Sequence, residues 1–365
     1  QLAEKVAKST RKHFPEGIPG YGTDALRFTF YSLASTGRDI KFDMNRMEGY
    51  RNFCNKLWNA TRYVLMNCED KDCGLSTDVS LSLADRWIVS RLQKTAADTQ
   101  SAIDSYRFDH AAQTLYDFVW NEYCDWYLEL SKPVLWDEEA DQSVLRGTRQ
   151  TLIQVLETIL RLLHPLMPFI TEEIWQTVAP IAGRGGKTIM LAPWPLPDES
   201  RTDSEAEAEI EWLKGLIIAA RTIRSESNLP PGTELTVLLR NTQASDVARA
   251  SRNDKFLRKL AKLSELRVLE PNEEAPPSLS ALCGHMEVLV PMAGVIDFDA
   301  ELTRIDKELA RQTQEVKKLA GKLGNANFVD RAPAEVVEKE KLKLRAAEDA
   351  IATLNEQRQR IEGLR

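Results

Sequence analysis

The sequence predicts a mainly α-helical protein with three parts: an antiparallel helix bundle, a small α+β module and a C-terminal antiparallel coiled-coil hairpin. Three observations predict this fold class. Apolar residues recur with helical periodicity from residue 44 to residue 66, and almost without interruption from residue 81 to residue 180. Short alternating segments and helical segments are mixed over residues 198–298. Two long segments whose apolar residues step by three and four end the chain.

The first segment, residues 1–43, predicts little regular structure. A short polar helix covers Gln1–His13, and Thr23 or Asp24 is expected to cap a second helix. Residues 39–42 alternate like a short strand. Such small elements bury little apolar surface by themselves, so we expect this segment to be the tail of a larger domain.

The helix predicted from Met44 to Met66 has two unlike faces. At 100° per residue, an apolar stripe falls on one side and a polar row on the other. The predicted core stripe contains Met47, Tyr50, Phe53, Cys54, Leu57, Trp58, Val64 and Leu65. The polar row contains Asn45, Asn52, Lys56, Asn59 and Tyr63, and it is flanked by Asn55 and Arg62.

Asparagine is an unusual choice for an exposed helix face. It costs roughly 0.5 kcal/mol per residue relative to good helix formers, because its amide competes for backbone hydrogen bonds. Amides, cations and one aromatic ring are the groups that bind unpaired bases and phosphates. The pattern alone leaves two interpretations open, an RNA-binding face and an ordinary solvated face.

Four further helices complete the predicted bundle over residues 44–197. Their connections are short, which favours antiparallel neighbours. Pro165 ends the third of them. The predicted spans are Leu83–Tyr106, Asp109–Leu130, Asp141–Leu163 and Ile170–Val178.

The predicted α+β module covers residues 198–298 and follows a proline-rich boundary at residues 193–197. Its sequence indicates no ligand. The predicted helices are Glu205–Ser227 and Asp246–Leu263, and the predicted strands are Glu234–Leu239, Leu266–Leu269 and Met286–Val290.

The predicted coiled-coil hairpin covers residues 299–365. Its first seam runs from Leu302 to Leu323 and its second from Val337 to Ile361, with a tip near Phe328. At 1.5 Å per residue, each arm would reach about 35 Å.

Composition limits the classes of protein that fit. Hydrophobic residues make up 43% and charged residues 28%, as in ordinary soluble proteins, and no apolar run would span a bilayer. Five cysteines in so long a chain predict no disulfide framework, so we expect a reduced, cytoplasmic setting. The net charge of −7 argues against wholesale wrapping of nucleic acid. An RNA-binding role therefore requires positive charge that is gathered locally.

The sequence predicts no catalytic residue and no metal site. Cys68 and Cys73 have no second pair at zinc-ligand spacing. Neither a G-x-x-x-x-G-K-[ST] loop nor a nucleophile–base constellation is found, and residues 183–187 are interpreted as a plain loop. The remaining candidates are expected to have structural roles. We expect Cys54 and Cys124 to lie in the core, and Glu122 and Asp125 to lie beside an arginine or a tryptophan. His164 is expected to cap carbonyls at a helix end.

Several of these segments resemble valyl-tRNA synthetases, a family of class I aminoacyl-tRNA synthetases. The stretch RNFCNKLWNATRYVL (residues 51–65) resembles the first helix of their anticodon domain. Other matching segments are residues 22–28, 37–40, 121–127 and 164–169, together with Asn325, 327–329 and 332–337 at the hairpin tip. The resemblance covers essentially the whole chain. It does not include the H-I-G-H and K-M-S-K-S signatures or the editing domain, which are absent here.

The resemblance implies that the chain is the tRNA-binding C-terminal portion of a valine–tRNA ligase. Residues 1–43 would end the catalytic and stem-contact region, and residues 44–197 would bind the anticodon of tRNA(Val). The hairpin would bind the outer corner, or elbow, of the tRNA. The implied anticodon contacts are Asn45, Asn52, Asn55, Lys56, Asn59, Arg62 and Tyr63, and the implied elbow contacts are Arg304, Lys307, Arg311, Lys318, Lys322, Arg331, Lys341 and Arg345.

The same resemblance implies the partners and cofactors. The partners would be tRNA(Val) and the catalytic and editing domains of the same parent chain, with no membrane and a monomeric state. This segment would hold no cofactor, because ATP and valine bind the catalytic core. The alternative is a helix-bundle and coiled-coil scaffold or chaperone that binds protein. tRNA binding that depends on salt and on the anticodon discriminates between the two.

Overall fold

The computed structural model describes residues 2–17, 19–35, 37, 39–40, 42–75, 78–292, 298–324 and 334–362. The protein is mainly helical, with one four-stranded sheet in this part of the chain, and the predicted fold class is confirmed. Contacts divide the chain into two compact units. The first comprises residues 1–217 and 249–260, and the second comprises residues 218–248 and 261–365. The division into four domains stays a prediction.

The first unit is built from helices. In chain order they are α1 (Leu2–His13), α2 (Thr23–Leu33), α3 (Met44–Cys68), α4 (Leu83–Asp104), α5 (Phe108–Asp117), a π-helical segment (Phe118–Tyr127), α6 (Leu128–Leu135), α7 (Gln142–Leu163) and α8 (Pro168–Ile181). Two short 3₁₀ turns, Ile189–Leu191 and Glu199–Arg201, precede α9 (Ser204–Glu226). None of the helices in the described ranges combines the length and apolarity that a bilayer span requires.

Side-chain caps fix where three of these helices begin. Asp43 accepts a hydrogen bond from the backbone N–H of Asn45 at the start of α3. Ser82 and Asp85 form a reciprocal capping box at the start of α4. Asp141 accepts a hydrogen bond from the N–H of Ser143 at the start of α7. The predicted beginnings of α3 and α7 are thereby confirmed.

The core of the first unit is aromatic and contains the buried acid Asp85. Trp87, Trp175 and Tyr123 are among its largest fully buried side chains. Buried Asp85 accepts hydrogen bonds from the Tyr127 hydroxyl and from the Thr148 hydroxyl, each at 2.7 Å. Burial raises the pKa of Asp85, although these hydrogen bonds oppose the rise. This network connects α4, the π-helical segment and α7.

Asp24 has a different role from the one predicted for it. Gly22 is the N-cap of α2, and no side chain caps that helix. The Asp24 carboxylate instead accepts hydrogen bonds from the N–H groups of Phe169 and Ile170, at 3.2 and 2.6 Å, and so caps α8. Arg27 of the same helix donates to the carbonyls of Pro165 and Leu166. One turn of α2 thus satisfies backbone groups on both sides of the α7–α8 corner.

Two other predictions in the first unit are wrong. The strand predicted at residues 39–42 is not formed by residues 39, 40 and 42, the three of them that the structure describes. His164 does not cap carbonyls through its ring, because its Nδ1 lies 2.8 Å from the hydroxyl of Thr171. The role predicted for Glu122 is confirmed, since both its oxygens accept hydrogen bonds from Arg91 at 2.8 Å.

The second unit contains the sheet. Its strands are β1 (Leu235–Arg240), β2 (Leu263–Val268), β3 (Ser278–Cys283) and β4 (Met286–Pro291), in the order β2-β1-β4-β3. β1 pairs in parallel with β2 and antiparallel with β4, and β3 pairs antiparallel with β4. A cluster of Leu238, Leu269 and Leu289 lies in its core.

Two features of this region were not predicted. Strand β3 was missed, because its sequence SLSALC alternates small and apolar residues only weakly. The helix predicted over residues 246–263 is instead two helices, α10 (Ala244–Arg252) and α11 (Asp254–Ala261). At the break, the buried amide of Asn253 donates to the Arg249 carbonyl and to Glu209.

The chain ends in an antiparallel helical hairpin of α12 (Phe298–Leu323) and α13 (Ala334–Glu362). Two ion pairs show the antiparallel register. Lys322 Nζ lies 3.1 Å from Glu340 Oε2, and Arg358 Nε lies 2.9 Å from Asp306 Oδ1. The predicted hairpin is confirmed, whereas its predicted tip motifs at residues 325–333 lie outside the described residues.

Candidate nucleic-acid interface

One face of α3 exposes a row of amides to solvent. Exposed positions recur along the helix at 45, 48, 52, 55, 59, 62 and 66, in steps of three and four. We call the four asparagines of this face with Arg62 the asparagine row: Asn45, Asn52, Asn55, Asn59 and Arg62. On the opposite face, Phe53, Leu57 and Val64 are fully buried. The predicted division is therefore confirmed for the asparagines and for these three core residues, whereas Trp58, Tyr63 and Lys56 differ from it.

The amides of the asparagine row are free to bind a ligand. Among the described residues, no hydrogen bond is made by the side chains of Asn52, Asn55 or Asn59. Each amide carries two donors and one acceptor oxygen, so each can contact the edge of a base. The row therefore offers hydrogen bonds in both directions along several turns of one helix.

Trp58 is a correction to the predicted core stripe. Its side chain is 45% exposed, although the helical wheel placed it with the core. Trp58 lies one turn from Asn55 and one turn from Arg62. A large exposed ring beside free amides is the arrangement that stacks unpaired bases.

Tyr63 was predicted to be the exposed ring, and that prediction is wrong. Its ring is half-buried, and its hydroxyl lies 2.9 Å from the Ser131 hydroxyl. Burial raises the pKa of Tyr63 to about 12. By angle on the wheel, Tyr63 and Trp58 flank the core about equally. The segment from α5 to α6 covers the Tyr63 flank of the helix and leaves the Trp58 flank uncovered. Trp58 is therefore the exposed ring, and Tyr63 is the half-buried one.

Lys56 is also covered by that segment. Its ammonium lies 2.5 Å from Asp125 Oδ1 and 3.9 Å from the centre of the Trp120 ring. The Lys56 side chain is 24% exposed. Its charge is therefore already satisfied by a carboxylate and an aromatic face. The structure does not bring Lys56 together with the asparagine row as a free cation.

The predicted elbow contacts lie on the hairpin. Lys307, Arg311, Lys318, Lys322, Lys341 and Arg345 are exposed. The side chain of Arg304 and all of Arg331 lie outside what the structure describes. Four of the six form ion pairs within the hairpin: Arg311 with Glu308, Lys318 with Glu315, Lys341 with Glu338, and Lys322 with Glu340.

These ion pairs leave the hairpin able to bind phosphate. Exposed pairs contribute only about 0–1 kcal/mol each, so an RNA phosphate competes for the cations at little cost. Lys307 and Arg345 form no ion pair with any residue that the structure describes. Among the six described elbow contacts, these two offer a partner their charge without competition from a carboxylate.

The π-helical segment beside α3 was not foreseen. Phe118–Tyr127 was predicted as ordinary α-helix, and the apolar spacing FVWNEYCDWY gives no separate signal for the wider turn. Trp120 of this segment packs against Tyr116 with ring centres 5.5 Å apart. The Lys56 ammonium lies over the face of the same ring, so the π-helical segment covers one edge of the candidate site.

The structure gives the cysteines no ligand role. In the ranges that the structure describes, no group of three or more His, Cys, Asp or Glu side chains is placed to hold a metal ion. Cys73 is buried, and its thiol lies 3.6 Å from the Cys68 carbonyl. Cys54 and Cys124 are half-buried, which makes them less central than predicted.

Comparisons with known proteins identify two segments. Residues 85–239 match the family described as the anticodon-binding domain of tRNA ligase. Residues 297–362 match the family described as the valyl tRNA synthetase tRNA binding arm. The second match contains α12 and α13, whereas α3 precedes the first match.

A search of solved structures finds similarity to the ternary complex of Agrobacterium radiobacter K84 agnB2 LeuRS-tRNA-LeuAMS. The identity is 16%, the TM-score is 0.36, and the match covers 68% of this chain. This chain spans 28% of that one.

Proposed function

We propose that the chain is the tRNA-binding portion of a valine–tRNA ligase. The premise is that it carries two tRNA-binding domains of a class I aminoacyl-tRNA synthetase. In this proposal the helical unit recognises the anticodon of tRNA(Val), and the hairpin holds the outer corner of the tRNA. The parent enzyme then attaches valine with the use of ATP. The observation that carries the proposal is the asparagine row, an exposed set of unpartnered amides next to an exposed tryptophan.

Each group of this face has a chemical task. The amides donate to and accept from base edges, which distinguishes one anticodon from another. Arg62 supplies a charge for phosphate or a donor fork for a base. Stacking of a base on Trp58 contributes roughly 1–3 kcal/mol. Specificity would therefore come from the amides, and affinity from the ring and the cation.

The hairpin is close to neutral, unlike the acidic chain as a whole, and its cations are clustered. The whole chain has a net charge of −7, so tRNA affinity requires cations gathered on one element. The exposed lysines and arginines of α12 and α13 meet this need. In this proposal the segment holds no cofactor and acts in the cytoplasm. ATP and valine bind the catalytic part of the parent.

The deciding experiment is a gel-shift series with the whole chain, tRNA(Val) and anticodon variants of that tRNA. We expect tRNA(Val) to bind more tightly than its anticodon variants, and Asn52→Ala combined with Asn59→Ala to remove most of that preference. Asn272→Ala is the matched control, because Asn272 is an exposed asparagine outside α3. Equal binding of every anticodon variant by the unmodified chain would contradict the proposal. Failure to bind any tRNA would favour a protein-binding scaffold.

A further inference from the structure

Two adjoining cavities lie in the helical unit, away from the asparagine row, and no function has been assigned to them. One has a volume of about 380 Å³ and the other of about 290 Å³. Both are lined by Leu92 of α4, Thr158 of α7, Arg184 and Arg201. The shared residues make them two parts of one cleft, which we call the arginine cleft.

The charged side chains that line the arginine cleft are three arginines and one glutamate: Arg161, Arg184, Arg201 and Glu157. Glu157 is 1% exposed, and both Arg161, at 2.8 Å, and Arg184, at 3.0 Å, bind its Oε2. The same carboxylate accepts the indole N–H of Trp175 at 3.0 Å. One satisfied carboxylate therefore faces three guanidinium groups, and the cleft has an excess of positive charge.

Several donors in the cleft lack a protein acceptor. The exposed side chain of Arg201 makes no hydrogen bond or ion pair with any described residue, and neither does the half-buried amide of Gln154. The indole Nε1 of Trp194 is buried and also has no partner in the described part of the chain. A buried N–H without an acceptor costs about 1–3 kcal/mol, which a bound acceptor would recover. Unpartnered donors and excess positive charge together favour an anionic ligand.

The second cavity adds an apolar wall with a flat ring. Trp194, Pro193, Pro195, Leu196 and Ala96 line it beside the arginines. Indole and proline rings are surfaces on which a planar heterocycle stacks. The two chemistries lie side by side: guanidinium groups for an anion and an aromatic wall for a ring.

We propose that the arginine cleft binds a nucleotide, with its phosphate between Arg184 and Arg201 and its base against Trp194. Guanidinium groups bind phosphate oxygens through paired hydrogen bonds, which matches the two arginines that both cavities share. The nucleotide has two possible sources, a free mononucleotide or one nucleotide of a bound RNA. The proposal does not depend on anticodon recognition by α3.

The test is isothermal titration calorimetry of the whole chain with AMP and with inorganic phosphate. We expect AMP to bind saturably and more tightly than inorganic phosphate, because phosphate alone cannot use the aromatic wall. Arg201→Gln should weaken AMP binding about 10-fold, the effect of one charge-assisted contact. Arg201 makes no side-chain hydrogen bond or ion pair among the described residues, and its charge acts on the exposed carboxylate of Asp198 only through space, so this variant should melt close to the temperature of the unmodified chain.

Lys94→Gln is the matched control. Lys94 is an exposed cation of α4 that lines neither cavity, and its substitution removes the same charge. AMP binding should be unchanged by it. Equal weakening in both variants would mean that the net charge alone attracts AMP, and that result would overturn the proposal.

A competition arm distinguishes the two sources. If excess tRNA(Val) displaces AMP, the natural occupant is a nucleotide of the RNA, and Arg201→Gln should then also weaken tRNA binding. If AMP binds equally well with tRNA present, the occupant is a free mononucleotide. The absence of saturable AMP binding, together with unchanged tRNA affinity of Arg201→Gln, overturns the proposal. Variants of the asparagine row test anticodon recognition separately, so the failure of one proposal is not mistaken for failure of the other.

Discussion

At the scale of single residues, exposure on α3 depends on which neighbouring segment covers a side chain. Trp58 and Tyr63 flank the buried stripe at similar angles, yet only Tyr63 meets a partner, the hydroxyl of Ser131. Trp58 remains 45% exposed. A tryptophan that gains little from burial in its own fold has its ring available for stacking.

Trp58→Ala should therefore weaken tRNA binding about 10- to 100-fold, the equivalent of one lost stacking contact. The free energy of unfolding should change by less than about 1 kcal/mol, because the side chain is not part of the core. Gel shifts and urea denaturation of the same preparations measure the two effects.

Tyr63→Ala is the paired variant with the opposite expectation. It removes a half-buried ring and its hydrogen bond, so it should lower the free energy of unfolding by about 2–4 kcal/mol. Binding per folded molecule should change less than in Trp58→Ala. If Tyr63→Ala weakens binding more than Trp58→Ala at equal folded fraction, the stacking ring has been assigned to the wrong flank.

Asp85 predicts a pH dependence of stability. Burial raises the pKa of this carboxyl in the folded protein, so protonation of Asp85 stabilises the folded state relative to the unfolded state. Its contribution to stability is complete below the unfolded pKa of about 4 and is lost as the pH rises through the folded value. Relative to Asp85→Asn, the unmodified chain should thus lose stability as the pH rises above about 4. Urea denaturation of both proteins across this range measures the difference, and a pH-independent difference would refute the expectation.

At the scale of elements, the contact between α7 and the loop at Ser80 requires a residue without a side chain at position 147. A Cβ at Gly147 of α7 would lie 2.2 Å from the carbonyl oxygen of Ser80. The backbone N–H of Ser80 also donates to the Ser143 carbonyl, so this loop is held against α7. The close approach is possible only because position 147 has no side chain.

Gly147→Ala should lower the free energy of unfolding by about 1–3 kcal/mol or more, because the loop or the helix must move. Gly49→Ala on α3 is the matched control. Nothing lies within 4 Å of a Cβ built there, so alanine should stabilise the helix by up to about 1 kcal/mol. Opposite signs are expected in denaturant titrations of the two variants. Equal effects would show that helix propensity, rather than the contact with Ser80, decides both.

The elements that could be predicted from the sequence are those with long, regular periodicity. α3, α7 and the hairpin follow from apolar spacing and caps. Strand β3 and the break at Asn253 could not be predicted, because they depend on partners that are distant in sequence. The candidate site divides in the same way. The exposed amides follow from the pattern, whereas the exchange of Trp58 and Tyr63 depends on where α6 packs.

At the scale of the whole molecule, the two domains should divide affinity from discrimination. Deletion of residues 302–365 should weaken tRNA binding and flatten its dependence on salt, because bound cations release counterions in proportion to their number. The preference for the valine anticodon should survive. Loss of that preference would show that the division of labour is wrong.

A milder variant tests the same charge argument without deletion. Lys307→Gln with Arg345→Gln removes two of the predicted elbow contacts, both without an ion pair among the described residues. The slope of log K against log salt should flatten by roughly 1–2. Lys94→Gln, a cation of α4, should leave the slope unchanged.

The chain should not activate valine by itself. Its sequence contains neither of the ATP-handling signatures of class I synthetases, so valine-dependent ATP–pyrophosphate exchange should stay at background. The full-length parent should show the exchange. Activity of this segment above background would contradict the expectation.

The cap that Asp24 provides has a consequence for the order in which the chain folds. Asp24 and the first of its two N–H donors on α8 are 145 residues apart in the sequence, and Arg27 and the carbonyls that it binds at the α7–α8 corner are separated by a similar number. At a synthesis rate of about 5–20 residues per second, α2 leaves the ribosome roughly 7–30 s before α8 exists. Until then the Asp24 carboxylate lacks its two N–H donors, and the Arg27 guanidinium lacks its two carbonyl acceptors. α2 can pack on α3 earlier, through Phe28 with Tyr50 and Phe53. Its hydrogen bonds to the α7–α8 corner are therefore among the last native contacts to form, and in a nascent chain arrested before residue 168 this turn of α2 should be more open to proteolysis than in the finished chain.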